Sequence, residues 1–457
     1  MKIAPFAFLK QPLRLMACCL LLPLMIGCSS YGVIKNEAIT EVVPGKGYSL
    51  FQWGDGQRSR DLSFMMTFSG GGTRAAALAY GVMQELRDTD IVIDGRSRTL
   101  LNEIDRISSV SGGSFTAAYY GLHGDAMFES FEDEVLRFDL EKQLKLGLFN
   151  PVRWFSTKGR TEMAVQYYQK AFFHGATYAD MLREDHPIIG INASDLASGV
   201  RFSFIQEYFN LLCSDLSTFP IARAVAASSA VPAVFNPVVV ENYSDCGNDA
   251  PDWLVNAREY GKDNAEIEML TTGISGYLDK DRRKYIHFVD GGITDNMGMR
   301  AIFDIIELTG GIDRYMKIMK MQYQLPPRQI VMIAVNASTD PVIDMDLSTK
   351  QPSMIETVSA MSNAQLHRYN IASIELVEDR LDVWSKQLST PERPVTARLI
   401  NIGFEDVADP QLREFFNEVP TSFSLSDEQV DKLIEAGRQL LRTNPKFQDL
   451  LSDLEKL

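Results

Sequence analysis

Three short segments each supply one part of an acyl-transfer site. Gly70, Gly71 and Gly72, followed by Thr73 and Arg74, lie between an apolar run at 61–69 (DLSFMMTFS) and an alanine-rich helical pattern. Lacking side chains, such a turn lets backbone N–H groups approach a negative oxygen, and the start of the next helix adds positive potential. An oxyanion hole needs both features. A tight turn or a phosphate loop also fits a glycine run, but no Gly-Lys-Ser/Thr follows and the spacing is not GxGxxG. Ser109-Val110-Ser111-Gly112-Gly113 has the pattern small-x-Ser-x-Gly of a nucleophile elbow, with Ser109 in the first glycine place. A sharp strand-to-helix turn there would expose the Ser111 hydroxyl and offer the Gly112 N–H as a further oxyanion donor. Asp290-Gly291-Gly292 directly follows the strand-like YIHFV. A carboxylate at a strand's carboxyl end can orient and deprotonate a serine. Taken alone, it reads more simply as a turn aspartate that caps the next helix.

The elements that must position these residues follow an α/β rhythm. Residues 61–69 and 104–110 read as buried strands, each followed by a glycine-rich turn and a helix. Strand patterns return at 187–193, 200–205, 285–289 and 329–335, with helical patterns at 221–229 and 299–308. This predicts an α/β fold with a mainly parallel central sheet. Residues 249–284 read as a charged insertion, either on the surface or as a lid. Residues 146–155 (LGLFNPVRWF) are apolar and aromatic and suit the core, an acyl groove or a bilayer contact. Beyond about residue 340 the pattern turns to helices and polar loops. Ser426 and Gln429 form a capping box before a helix whose apolar face should dock on the main domain.

GGGxR, then S-x-S-x-G about forty residues on, then a late DGG, resembles the motif order of the patatin-like phospholipases. Residues 226–235 (AASSAVPAVF) are similar to that family's helix-to-proline block ahead of its aspartate. The resemblance runs over about residues 61–310. It implies a three-layer α/β/α sandwich and a Ser–Asp dyad without histidine. Ser111 would be the nucleophile and Asp290 its activator. Gly70, Gly71, Gly72 and Gly112 would form the oxyanion hole. Arg74 would face a substrate phosphate or support its loop. No metal and no cofactor is implied. The implied reaction is hydrolysis of lipid acyl esters, of phospholipase A type, through a serine acyl-enzyme. Ser109 departs from the glycine of the elbow pattern and bears on its geometry. A different acyl ester (lysophospholipid, neutral lipid or thioester) and a non-catalytic, membrane-tethered scaffold are the competing readings.

Composition narrows the setting. The chain has 457 residues, 45% hydrophobic and 23% charged, with a formal net charge of −15. A strongly acidic chain without a basic patch repels nucleic acid, and it has no general attraction to anionic lipid. Membrane contact therefore needs an anchor. Lys2, Lys10 and Arg14 precede the uncharged run 15–27, which is too short to span a bilayer and reads as a secretory signal. Residues 25–28 (MIGC) resemble a bacterial lipobox, which implies a signal at 1–27 and diacylation of Cys28; ordinary cleavage beside an incidental cysteine is the plainer reading. Ser29 after that cysteine implies the periplasmic leaflet of the outer membrane. Residues 28–60 then form a tether, 61–340 the hydrolase domain and 341–457 a mainly helical extension. Cys213 and Cys246 remain as a pair in an oxidising compartment, either bridged or as two separate buried thiols. The five histidines are scattered without metal spacing, and His287 should face away from Asp290 across the strand.

Overall fold

Strict alternation along two apolar strands explains the layers. In β1 (Leu62–Phe68) the side chains of Phe64, Met66 and Phe68 enter one core, while Met65 enters the other. Near the chain's last third, Gln329–Asn336 repeats the pattern: Val331, Ile333 and Val335 point one way, Ile330, Met332 and Ala334 the other. Side chains that alternate across a strand need apolar cover on both faces, and helices supply it. The structure, a computed structural model, describes residues 31–50, 58–140, 142, 159–183, 186–232, 234–247, 249–319, 325–340 and 349–457. Cys28 and residues 146–155 lie outside the described residues.

The sheet has eight strands. After β1 come β2 (Arg106–Val110), β3 (Ile188–Asp195), β4 (Arg201–Phe204), β5 (Val238–Glu241), β6 (Tyr285–Val289), β7 (Gln329–Asn336) and β8 (Thr396–Gly403). Their order is β8-β7-β1-β2-β3-β6-β5, with β4 also paired to β3. The first five strands of this order are parallel. The pairings of β6 with β3 and β5, and of β4 with β3, are antiparallel. One core holds β1 and β7 side chains against α1 (Thr73–Arg87), α2 (Gly112–His123) and α3 (Ile221–Ser228). The opposite core holds α4 (Met299–Leu308) and α5 (Met354–Leu388). The result is the α/β/α sandwich expected from the motif order.

The region after residue 340 is mainly helical, yet it is not a separate unit. β8 joins the main sheet in parallel register with β7, from Gln329 opposite Thr396 to Asn336 opposite Gly403. A boundary at residue 340 therefore cuts through the central sheet. The signal for β8 was weak because only its second half is well buried. Two further helices, α6 (Asp427–Thr443) and α7 (Pro445–Leu454), cover the first core. The capping box at Ser426 and Gln429 is formed. α6 lies so close to α1 that a side chain on Gly81 would meet the Ile434 carbonyl oxygen at 2.0 Å. The 249–284 segment forms two helices, with Leu254, Ala257 and Ile274 buried. Cys213 and Cys246 are joined by a disulfide with Cα atoms 5.4 Å apart.

Candidate active site

The register of β3 builds the site. Asn192 pairs with Val110, the last residue of β2, and Ser194 pairs with Val289, the last residue of β6. Both also pair across their other edge with β4, at Ser203 and Arg201. β2 and β6 therefore share one edge of β3 and run toward each other, ending two residues apart. The residues just beyond those ends, Ser111 and Asp290, are brought face to face.

Their side chains touch. The Ser111 hydroxyl donates to Asp290 Oδ2 at 2.9 Å. Ser111 has φ 49° and ψ −120°, a sparsely populated region that costs roughly 1–3 kcal/mol and must be held by its surroundings. The surroundings do hold it: the Ser111 N–H donates to Ser228 Oγ at 2.8 Å, and Ser228 donates onward to the Asn192 carbonyl at 2.6 Å. Ser109 fits in the first glycine place because its hydroxyl reaches the Gly190 carbonyl at 3.2 Å. Asp290 Oδ1 accepts the Gly292 N–H at 2.8 Å. Burial pushes the Asp290 carboxyl from 3.8 up to about 6, and the Gly292 N–H and Ser111 hydroxyl offset part of that rise. Among the described residues no histidine bonds to either side chain, and His287 is exposed.

The glycine loop meets the elbow backbone to backbone. A side chain on Gly112 would strike the Gly72 carbonyl oxygen at 2.0 Å, and one on Gly72, at φ 62°, would strike the Ser422 carbonyl oxygen at 2.3 Å. The four glycines do not act alike. The Gly70 N–H donates to the Asn296 carbonyl at 3.0 Å, so Gly70 shapes the turn and is not an oxyanion donor, as the motif had implied. The N–H groups of Gly71, Gly72 and Gly112 have no partner among the described residues. Three unpaired donors beside a hydroxyl–carboxylate pair can stabilise an oxyanion formed by attack on a carbonyl.

Arg74 is buried, and its guanidinium reaches the Ala337 carbonyl at 2.9 Å, the Val419 carbonyl at 2.5 Å and Thr421 Oγ1 at 3.0 Å. Of its two expected roles, this geometry is that of loop support. Three of its five N–H donors are spent on these partners. Asp295 acts as a local cap, accepting the Ala301 N–H at 3.0 Å. Sequence reasoning missed Ser228, Asn192 and Asn296, which brace the elbow and the glycine loop. Ser228 carried the one available signal, its place in the AASSAVP block. Beside Gly72 lies a narrow apolar cavity of about 20 Å³ lined by Ala76, Phe115, Leu136, Phe172 and Phe423.

The model of the patatin-like phospholipase family matches residues 66–303, just over half of the chain, and the chain belongs to that family. Among solved structures it is similar to human GIVD cytosolic phospholipase A2 in complex with methyl gamma-linolenyl fluorophosphonate. The identity is 12%, the TM-score 0.39, and the match covers 87% of this chain and 59% of that one. Human GIVD cytosolic phospholipase A2 without that compound gives 14% identity and a TM-score of 0.37, over 93% of this chain and 66% of that one. Full-length ExoU of Pseudomonas aeruginosa, in complex with SpcU, gives 14% identity and a TM-score of 0.23, over 93% and 98%. The chain thus spans about three fifths to two thirds of the length of the human enzyme. No curated protein sequence matches it.

Proposed function

We propose that the chain is a lipid acyl hydrolase of phospholipase A type that works through Ser111 and Asp290. The observation that carries this reading is the 2.9 Å Ser111–Asp290 hydrogen bond beside the N–H groups of Gly71, Gly72 and Gly112, which have no partner among the described residues. In the reaction Asp290 takes the Ser111 proton as Oγ attacks the ester carbonyl carbon. The carbonyl oxygen, now an oxyanion, accepts hydrogen bonds from the three N–H groups. As the intermediate collapses, the carbon–oxygen bond to the alcohol breaks and Asp290 returns its proton to that leaving oxygen. Water, deprotonated by Asp290, then attacks the Ser111 acyl ester; as the carbon–Oγ bond breaks, Asp290 returns the proton to Ser111 Oγ and the acid is freed.

The setting is part of the same proposal. A diacylated Cys28 tethers the enzyme to the periplasmic leaflet of the outer membrane. Two acyl chains give stable anchoring where one does not. The Cys213–Cys246 disulfide supports an oxidising compartment. Fatty-acid release from phospholipid vesicles by the full chain in detergent tests the reaction. Ser111→Ala should lower the rate at least about 10³-fold. Equal rates for parent and variant overturn the Ser111 assignment, and turnover only of neutral esters or thioesters overturns the phospholipase A reading. Cys28→Ser should move the protein from the membrane to the soluble fraction; an unchanged membrane fraction overturns the anchor.

A further inference from the structure

The glycine loop is held from a distance. Residues 419–423 lie more than 300 residues after Gly72, beyond the region matched by the family model. The Ser422 carbonyl accepts the Thr73 N–H at 2.8 Å. Arg74 bonds Val419 and Thr421 on either side of Pro420. Ser422 Oγ accepts the Ser424 N–H at 3.0 Å and donates to the Ser424 carbonyl at 2.7 Å, which fixes the local turn. These contacts aim Phe423 at the cavity beside Gly72, where it packs edge-to-face on Phe235 with ring centroids 5.7 Å apart. Phe115, which also lines the cavity, lies one helical turn after Ser111. The cavity starts at Gly72 and, at about 20 Å³, has room for no more than about one methylene as it stands, so the side chains that line it set how far it reaches.

We propose that residues 419–423 form a strap that completes the acyl site, and that Phe423 sets the acyl-chain length accepted. The proposal rests on the acyl-hydrolase reading above. Phe423 is half-buried, so its replacement changes the cavity without emptying the core. The Phe423→Ala variant opens room for further methylenes, and Phe423→Trp removes room. One buried methylene corresponds to about fourfold in an equilibrium. The ratio of kcat/KM for a twelve-carbon over a four-carbon ester should therefore rise about tenfold in Phe423→Ala and fall in Phe423→Trp.

The test uses the full chain and p-nitrophenyl esters of four to sixteen carbons, with thermal melting of each variant. The changes should appear in KM for the long esters, and Phe423→Leu, which keeps an apolar contact with Phe235, should lie between parent and Phe423→Ala. An active parent whose folded variants all keep its chain-length profile overturns the role of Phe423 and leaves the hydrolase reading standing. A parent silent on every ester, and unlabelled at Ser111 by an alkyl fluorophosphonate, overturns both. A loss of kcat equal across all chain lengths also overturns the specificity role, because that is the mark of a purely structural residue.

Discussion

Ser111 and Asp290 are coupled through a single hydrogen bond, and the environment of Asp290 sets the pH at which it can work. The carboxyl titrates near 6 in the fold because burial disfavours its charge. Proton abstraction needs the carboxylate, so kcat/KM should rise with pH through about 6 and level off above it, which a pH–rate profile reads directly. The same shift predicts a stability change. Between 3.8 and about 6 the folded state binds the proton more tightly than the unfolded chain, so the stabilising contribution present at low pH is lost as pH rises. Asp290→Asn removes that loss and should be more stable than the parent at pH 8 by up to about 3 kcal/mol while losing activity. Equal urea midpoints for the two at pH 8 would show that the buried carboxylate costs nothing. At this scale the sequence was informative where chemistry and turn geometry coincide. Ser111 and Asp290 each stand at a strand end beside glycines. Asn192 was opaque, because it acts through a backbone carbonyl deep in the core and no local pattern marks such a contact; Ser228 stood in the AASSAVP block, but that its hydroxyl braces the Ser111 N–H showed only in the fold. The separate fates of the four glycine N–H groups were equally hidden, since Asn296 meets Gly70 only in the fold.

Two pairs of elements carry the site: the converging strands β2 and β6, and the helix α1 with its cover α6. The strands were readable as short apolar runs with turn signals. Their head-to-head approach along one edge of β3 was not, because register across strands is a property of pairing and not of either run. The α1–α6 contact follows from small residues. α1 is rich in alanine, and Gly81 admits the Ile434 carbonyl where any side chain would meet it at 2.0 Å. Gly81→Ala should force the helices apart and cost roughly 1–3 kcal/mol in urea unfolding. Because α1 begins at the glycine loop, the same substitution should also lower kcat. An unaltered unfolding midpoint would mean that the two helices part without penalty. β8 shows the limit of periodicity: a half-buried edge strand carries half the apolar signal of a central one.

The molecule is closed by contacts between its ends. β8 adds to the sheet that begins with β1, α6 covers α1, and the 419–423 strap holds the loop at 70–74. An extension read as a separate helical region is thus part of one fold, and only long-range contacts reveal it. The disulfide is a further tie, and it joins Cys213, after β4, to Cys246, after β5. Its two cysteines are 33 positions apart, and the chain-entropy model assigns such a crosslink about 3–4 kcal/mol. Replacing both cysteines by serine should lower the urea unfolding free energy by about that amount while the rate of ester cleavage at 25 °C persists. Loss of ester cleavage in a variant that still folds would tie the crosslink to the site. The strap has a consequence in time. A ribosome makes Ser111 and Asp290 well before it makes Ser422. A partial chain that stops before residue 419 has Ser111 and Asp290 without the contacts that Val419, Thr421 and Ser422 make to Thr73 and Arg74. On the acyl-hydrolase reading proposed above, the site is thus incomplete until residues 419–423 have been synthesised and have folded back onto the start of α1.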